Sequence, residues 1–278
     1  MIWKKSGSTP NRGVALYLVI ATVVMGFIVP AAHAGTVIEL STVYFDESKP
    51  TEDTIIYLDG DRMRFESVEN GKEMTLIVTL DDAGEPICWV IDRAAKTYTE
   101  ITRARADQVK SQIEQGKKQM EARLENVPPQ QRDQVRQMMK SQLEQFDKAA
   151  NITFKKIASG VEIKNWNCVQ YESILGEEKH EDIWAVEWKQ IGLERSDASI
   201  FRKLGSLFEG ISPETNAYFH TGGSAKTGQF DGFPVLVVEY KEGQKHEKSE
   251  VRTISSKPLE DSLFTLPEGY TQVSLFER

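Results

Sequence analysis

Cysteine is scarce: Cys88 and Cys168 are the only two in 278 residues. That excludes a disulfide mini-scaffold and a cysteine-rich metal site. Histidine is nearly as rare. Beyond residue 34 only His180, His220 and His246 remain, far apart and without a zinc-type spacing. Positive charge is in deficit, with 34 Lys+Arg against 42 Asp+Glu and a net charge of -8. Such a chain is a poor partner for nucleic acid, because phosphate binding needs clustered bases. No serine stands in a Gly-x-Ser-x-Gly elbow, and no pair of carboxylates stands out among the acids. The stretch His220 to Gly228 has the look of a phosphate loop. Ala225, however, replaces the glycine before Lys226, and His220 stands where the first glycine belongs. It reads as a flexible loop. The residues point to no catalytic group, no metal and no cofactor.

What is present is otherwise ordinary: 40% hydrophobic and 27% charged residues, values of a globular protein. The exception is the first 34 residues. Lys4, Lys5 and Arg12 precede sixteen uncharged residues from Val14 to Val29, then Pro30 and the small-x-small site Ala32-His33-Ala34. This pattern predicts a signal peptide over 1–34, cleaved after Ala34, and a periplasmic location. As an uncleaved anchor the run would span about 24 Å at 1.5 Å per residue, short of a ~30 Å hydrocarbon core. Its removal takes away three bases and no acids, leaving 31 bases against 42 acids, net -11. Export also places Cys88 and Cys168 in an oxidising compartment. A Cys88–Cys168 disulfide is expected, the alternative being two separate buried thiols.

Residues 35–278 read as a single domain. From 35 to 101 short β-branched and aromatic runs recur at roughly ten-residue spacing, divided by Asp59-Gly60-Asp61, Asn70-Gly71 and Asp81-Asp82-Ala83-Gly84, an antiparallel meander. Between about 102 and 150 the period becomes helical. Val109, Ile113, Met120 and Leu124 form one stripe, Pro128-Pro129 a break, and Val135, Met139, Leu143 and Phe146 a second stripe. This predicts a helical hairpin inserted between strands, carrying ten bases and seven acids, net +3 against a body of -14. Strands resume at Ile152, with Val161 to Leu175 and Ile183 to Trp188 as partners. The acids around His180 read as a solvated turn. Ser196 to Phe208 predicts a short helix with Ile200, Phe201, Leu204 and Phe208 on one stripe. A hairpin around Glu242-Gly243 and a last strand near Val273 close the chain.

Aromatic residues concentrate on the strands. Trp184, Val186 and Trp188 would share one face by period-two alternation, as would Ile87, Trp89 and Ile91. Such faces serve as plain core or as the lining of a ligand cavity in a large curved sheet.

Several stretches, taken together, are similar to a family of exported bacterial proteins known as domain of unknown function 4412. They are Tyr57-Leu58-Asp59-Gly60-Asp61-Arg62-Met63-Arg64-Phe65-Glu66, Ile91-Asp92 with Lys96-Thr97-Tyr98, and Val127-Pro128-Pro129-Gln130-Gln131-Arg132. To these are added Cys168-Val169-Gln170-Tyr171 with Ile183-Trp184-Ala185, and Gly232-Phe233-Pro234 with Asp261 to Tyr270. That family resembles the periplasmic lipoprotein carriers of the LolA/LolB type. The resemblance implies an α+β fold in which a large curved antiparallel β-sheet, a half-open barrel, is covered by helices. It implies no enzyme activity. Two functions follow as expectations. One is a periplasmic carrier for an apolar ligand (a lipid, an acyl chain or a lipidated partner), lined by Trp89, Trp184, Val186, Trp188, Phe201 and Leu204. The other is an envelope protein-interaction module with a filled core that docks through its helical hairpin.

Overall fold

The computed structural model describes residues 34–46, 48–69, 71–125, 152–197, 199–208 and 230–274. The expected signal peptide, the second helix of the hairpin and the His220 loop lie outside the described residues.

Six strands follow one another as the alternation predicts: β1 (Ala34–Tyr44), β2 (Glu52–Asp59), β3 (Arg62–Glu69), β4 (Lys72–Leu80), β5 (Pro86–Asp92) and β6 (Thr97–Ile101). Helix α1 (Arg103–Glu125) begins at Thr102, whose hydroxyl accepts the Arg105 N–H and whose carbonyl accepts that of Ala106. A second meander comprises β7 (Ile152–Ile163), β8 (Trp166–Leu175), β9 (Glu178–Val186), β10 (Phe233–Lys241) and β11 (Gln244–Pro258). Helix α2 (Ser199–Phe208) lies between β9 and β10, and a two-residue β12 (Thr271–Gln272) ends the set.

The twelve strands form one sheet in the order β12-β6-β5-β4-β3-β2-β1-β11-β10-β9-β8-β7. The long β11 returns beside β1 and joins the two meanders, with Ile38 opposite Ile254 and Leu40 opposite Val251. All neighbours are antiparallel except β12, which runs parallel to β6. The fold is α+β, a large and mostly antiparallel open sheet with helices. The turn at Glu242-Gly243 has φ of 53° and 75°, the two left-handed residues of the tight hairpin that the sequence signals there.

Five strands separate β5 from β10 in this order, about 29 Å at ~4.8 Å per step if the sheet were flat. Helix α2 nevertheless packs on β4 and β5 while its Phe201 ring lies 6.0 Å from that of Phe233 at the start of β10. A helix is only about 10–12 Å across, so the sheet curls and α2 stands inside the curl. One contiguous core joins Cys88 and Ile101 of one arm with Cys168, Ile183 and Val237 of the other.

The opposite face carries its own buried layer. Val37, Ile77 and Ile91 are buried there by alternation. The C-terminal strap crosses β3 and β4 on a 3₁₀ turn, Asp261–Phe264, and buries Phe264. Arg64 donates to Leu263 O at 3.0 Å, and Arg62 covers the Phe264 ring at 4.7 Å.

Three expectations are corrected. Trp188 is not part of a strand: β9 ends at Val186, and Trp188–Ile191 is a 3₁₀ turn stopped by Gly192 at φ 74°. The acid run around His180 is not a solvated turn. Glu177 and Glu178 are exposed, but Glu181 and Asp182 lie within β9 and are buried. Cys88 and Cys168 form no disulfide. Both thiols are free and buried.

Candidate functional site

Helix α2 is the element around which the interior is built. Its residues Ile200, Phe201, Leu204 and Leu207 are buried, so the stripe turns on Leu207 where the sequence suggested Phe208. Its polar side is tied at three points. Arg103 of α1 donates to Ser206 O at 2.7 Å and to Ser206 Oγ at 2.6 Å, and Lys203 Nζ donates to Gly84 O at 2.9 Å.

Beneath α2 three rings meet. Trp188 lies 6.2 Å from Phe201 and 5.9 Å from Phe233, and the latter two are 6.0 Å apart. Gly232 permits this meeting. Its φ is 114°, and a Cβ there would run into the carbonyl oxygen of Val186, the residue paired with Phe233. A neighbouring group, Phe154, Phe230 and Tyr171, lies deeper along the second meander, with centroids 5.3 and 5.5 Å from Phe230. Burial pushes the Tyr171 phenol above its ordinary pKa.

The Trp188 indole is unusual. It is 5% exposed, and its Nε1 is buried without a hydrogen-bond partner among the described residues. Three other polar aromatic tips are paired: Trp89 Nε1 donates to Glu100 at 3.0 Å, Tyr240 to Asp182 at 2.8 Å and Tyr44 to Glu52 at 2.9 Å. An unpaired buried N–H costs about 1–3 kcal/mol.

Val186, Trp188, Phe201 and Leu204 therefore belong to one cluster, and Trp184 packs half-buried at its edge. Trp89 stands apart. It alternates with the core residue Cys88, pairs with Ile77 and Glu100, and faces the strap side of the sheet. Sequence reasoning missed Phe233, Phe230 and Tyr171, for which the Gly232-Phe233 dipeptide was the available signal.

It also missed a polar row on the core face. Ser173, Glu181, Glu239, Glu247 and Tyr44 stand opposite one another across β8, β9, β10, β11 and β1. Ser173 Oγ donates to Glu181 at 3.2 Å, with both residues buried. Burial, the charge of Glu239, and to a lesser degree Glu52, push the Glu247 carboxyl up to about 7, Lys241 opposing. Two residues along the same strands the row is apolar, with Ile183 opposite Val237. Among the described residues no group of His, Cys, Asp and Glu is arranged to hold a metal ion.

A curled, one-sheet α+β protein with an aromatic interior closed by a short helix is the class defined by these features. The chain belongs to the family described as domain of unknown function (DUF4412), whose profile matches residues 132–270. No curated protein matches it. Among solved structures it is similar to an uncharacterized conserved protein from Thermus thermophilus, at 7% identity and a TM-score of 0.43, covering 87% of this chain and 91% of that one. It is also similar to a chain of the Pseudomonas aeruginosa MucA/MucB complex, at 9% identity and a TM-score of 0.34, covering 84% of this chain and 56% of that one. For MucB alone the values are 10% and 0.31, covering 84% and 57%. The chain thus spans a little over half the length of the MucB structures.

Proposed function

We propose that this chain is a non-enzymatic binding or carrier protein of the bacterial envelope, exported to the periplasm, whose curled sheet takes up an apolar ligand under helix α2. The sheet is the cup of a half-open barrel and α2 is its plug. The observation that carries this reading is the position of Phe201. It ties a ten-residue helix packed on β4 and β5 to Phe233 of the other arm, over an indole whose N–H has no partner among the described residues. Displacing one short helix would open the aromatic interior between the two arms. Export rests on the N-terminal sequence pattern alone.

A second reading is a protein-interaction module with a filled core. Near-complete burial of Val186, Phe201 and Leu204 favours it, at 0–1% exposure, as expected of an interior packed at ordinary protein density. The polar helix α1, exposed along most of its described length, would then be the docking arm.

Native mass spectrometry of protein purified from the periplasm, followed by organic extraction, separates the two. Co-purified lipid supports the carrier. Repeated absence of any apolar ligand, with a partner protein retained, overturns it in favour of the module.

A further inference from the structure

Building on the carrier reading, we propose that Trp188 Nε1 is the single polar anchor of the ligand, donating to a neutral carbonyl oxygen, an ester or amide, at the buried end of an apolar chain. The indole is 95% withdrawn from solvent, and its N–H has no acceptor among the described residues. Buried tryptophan N–H groups ordinarily find one. Among its described neighbours is the Phe233 ring, inclined at 66° with its centroid 5.9 Å away. An aromatic face is a far weaker acceptor than a carbonyl oxygen.

The surroundings select the chemistry of the acceptor. Val186, Ile191, Leu193, Phe201 and Phe233 share the core with Trp188 and carry no charge. Two basic groups that tie the polar side of α2, Arg103 and Lys203, are engaged with carbonyl and hydroxyl oxygens, and Arg103 also faces Glu85 at 3.5 Å. An ionised carboxylate placed against Trp188 would be buried without a counter-charge, which is strongly unfavourable. A neutral carbonyl needs only the one donor that is there. The site thus selects for esters and amides over free fatty acids, and for either over plain hydrocarbon.

The test uses the full exported chain, delipidated, with three probes of matched chain length: monoolein (an ester), its ether analogue lacking the carbonyl, and oleate. The Trp188 indole N–H resonance is assigned by its loss in Trp188→Phe. Saturation with monoolein is expected to move that resonance downfield, and the ether analogue to leave it in place. Monoolein should bind about ten-fold more tightly than the ether or oleate, and Trp188→Phe should remove that advantage while leaving ether binding unchanged. Equal binding of ester and ether, or an unmoved indole resonance at monoolein saturation, overturns the anchor and leaves the carrier standing. Failure of all three probes to bind overturns both. Should Trp188→Phe lose its cooperative unfolding, the wild-type resonance and the ester-to-ether ratio decide alone.

Discussion

Glu239 and Glu247 stand directly opposite each other on β10 and β11, two carboxyls facing across one strand pair. Burial of Glu247, with Glu239 beside it, raises its carboxyl to about 7 from an ordinary 4.5. The folded protein therefore holds a proton between about pH 4.5 and 7 that the unfolded chain has released. The resulting stabilisation is complete below the unfolded value and is lost as pH rises through the folded one. Because Glu247 is only partly buried, the effect is about 1–2 kcal/mol rather than the full linkage value. Glu247→Gln mimics the protonated form. It should melt with the wild type at pH 4.5 and roughly 3–6 °C above it at pH 8. Equal melting temperatures at both pH values would show that the fold does not hold a proton on Glu247.

Gly232→Ala should be among the most damaging small substitutions. The residue sits at φ 114°, and the new methyl meets the Val186 carbonyl oxygen rather than a yielding side chain. A loss of about 2–4 kcal/mol is expected, from backbone strain and the displaced β9–β10 pairing. Chemical denaturation measures it. An effect below about 0.5 kcal/mol, the size of an ordinary surface substitution, would mean that β10 is free to shift at its start.

The cysteines should behave as two thiols. Alkylation of the unfolded, unreduced protein is expected to modify both Cys88 and Cys168. In the folded protein Cys88 should be inert, since burial pushes its thiol up to about 12 and the thiolate is the reactive form. Recovery of neither modified residue would restore the disulfide excluded above.

Arg64 holds the C-terminal strap. It is buried on the face away from the core, bonds Glu66 at 2.6 and 2.8 Å, and donates to Leu263 O. Arg64→Met should cost about 1–3 kcal/mol. It should also expose the strap around Phe264 to limited proteolysis, read by the loss of a C-terminal fragment. Unchanged cleavage would assign the docking of the strap to Phe264 and Arg62.

Most strands and the buried stripe of α2 were legible in the residues, because alternation and helical period report which side of a local element meets water; Val161 to Leu175, which read as one strand, is instead divided between β7 and β8 by a turn at Lys164, φ 52°. Asp59-Gly60 and Glu242-Gly243 likewise marked turns through backbone requirements that act over a few residues. The assembly of the site was not legible. Trp188 continues the alternation of β9 on paper, yet it leaves the strand for a 3₁₀ turn whose aromatic partners are Phe201 and Phe233. Glu181 and Asp182 look like surface acids, yet the β8–β9–β10 register turns Glu181 to the core face opposite Glu239 and buries Asp182 on the other face beside Tyr240 and Lys179. The return of β11 to β1, the curl of the sheet around α2, and the strap across β3 and β4 depend on pairings between distant parts of the chain. Such contacts are selected by the burial of whole faces against one another, a quantity that no local period contains.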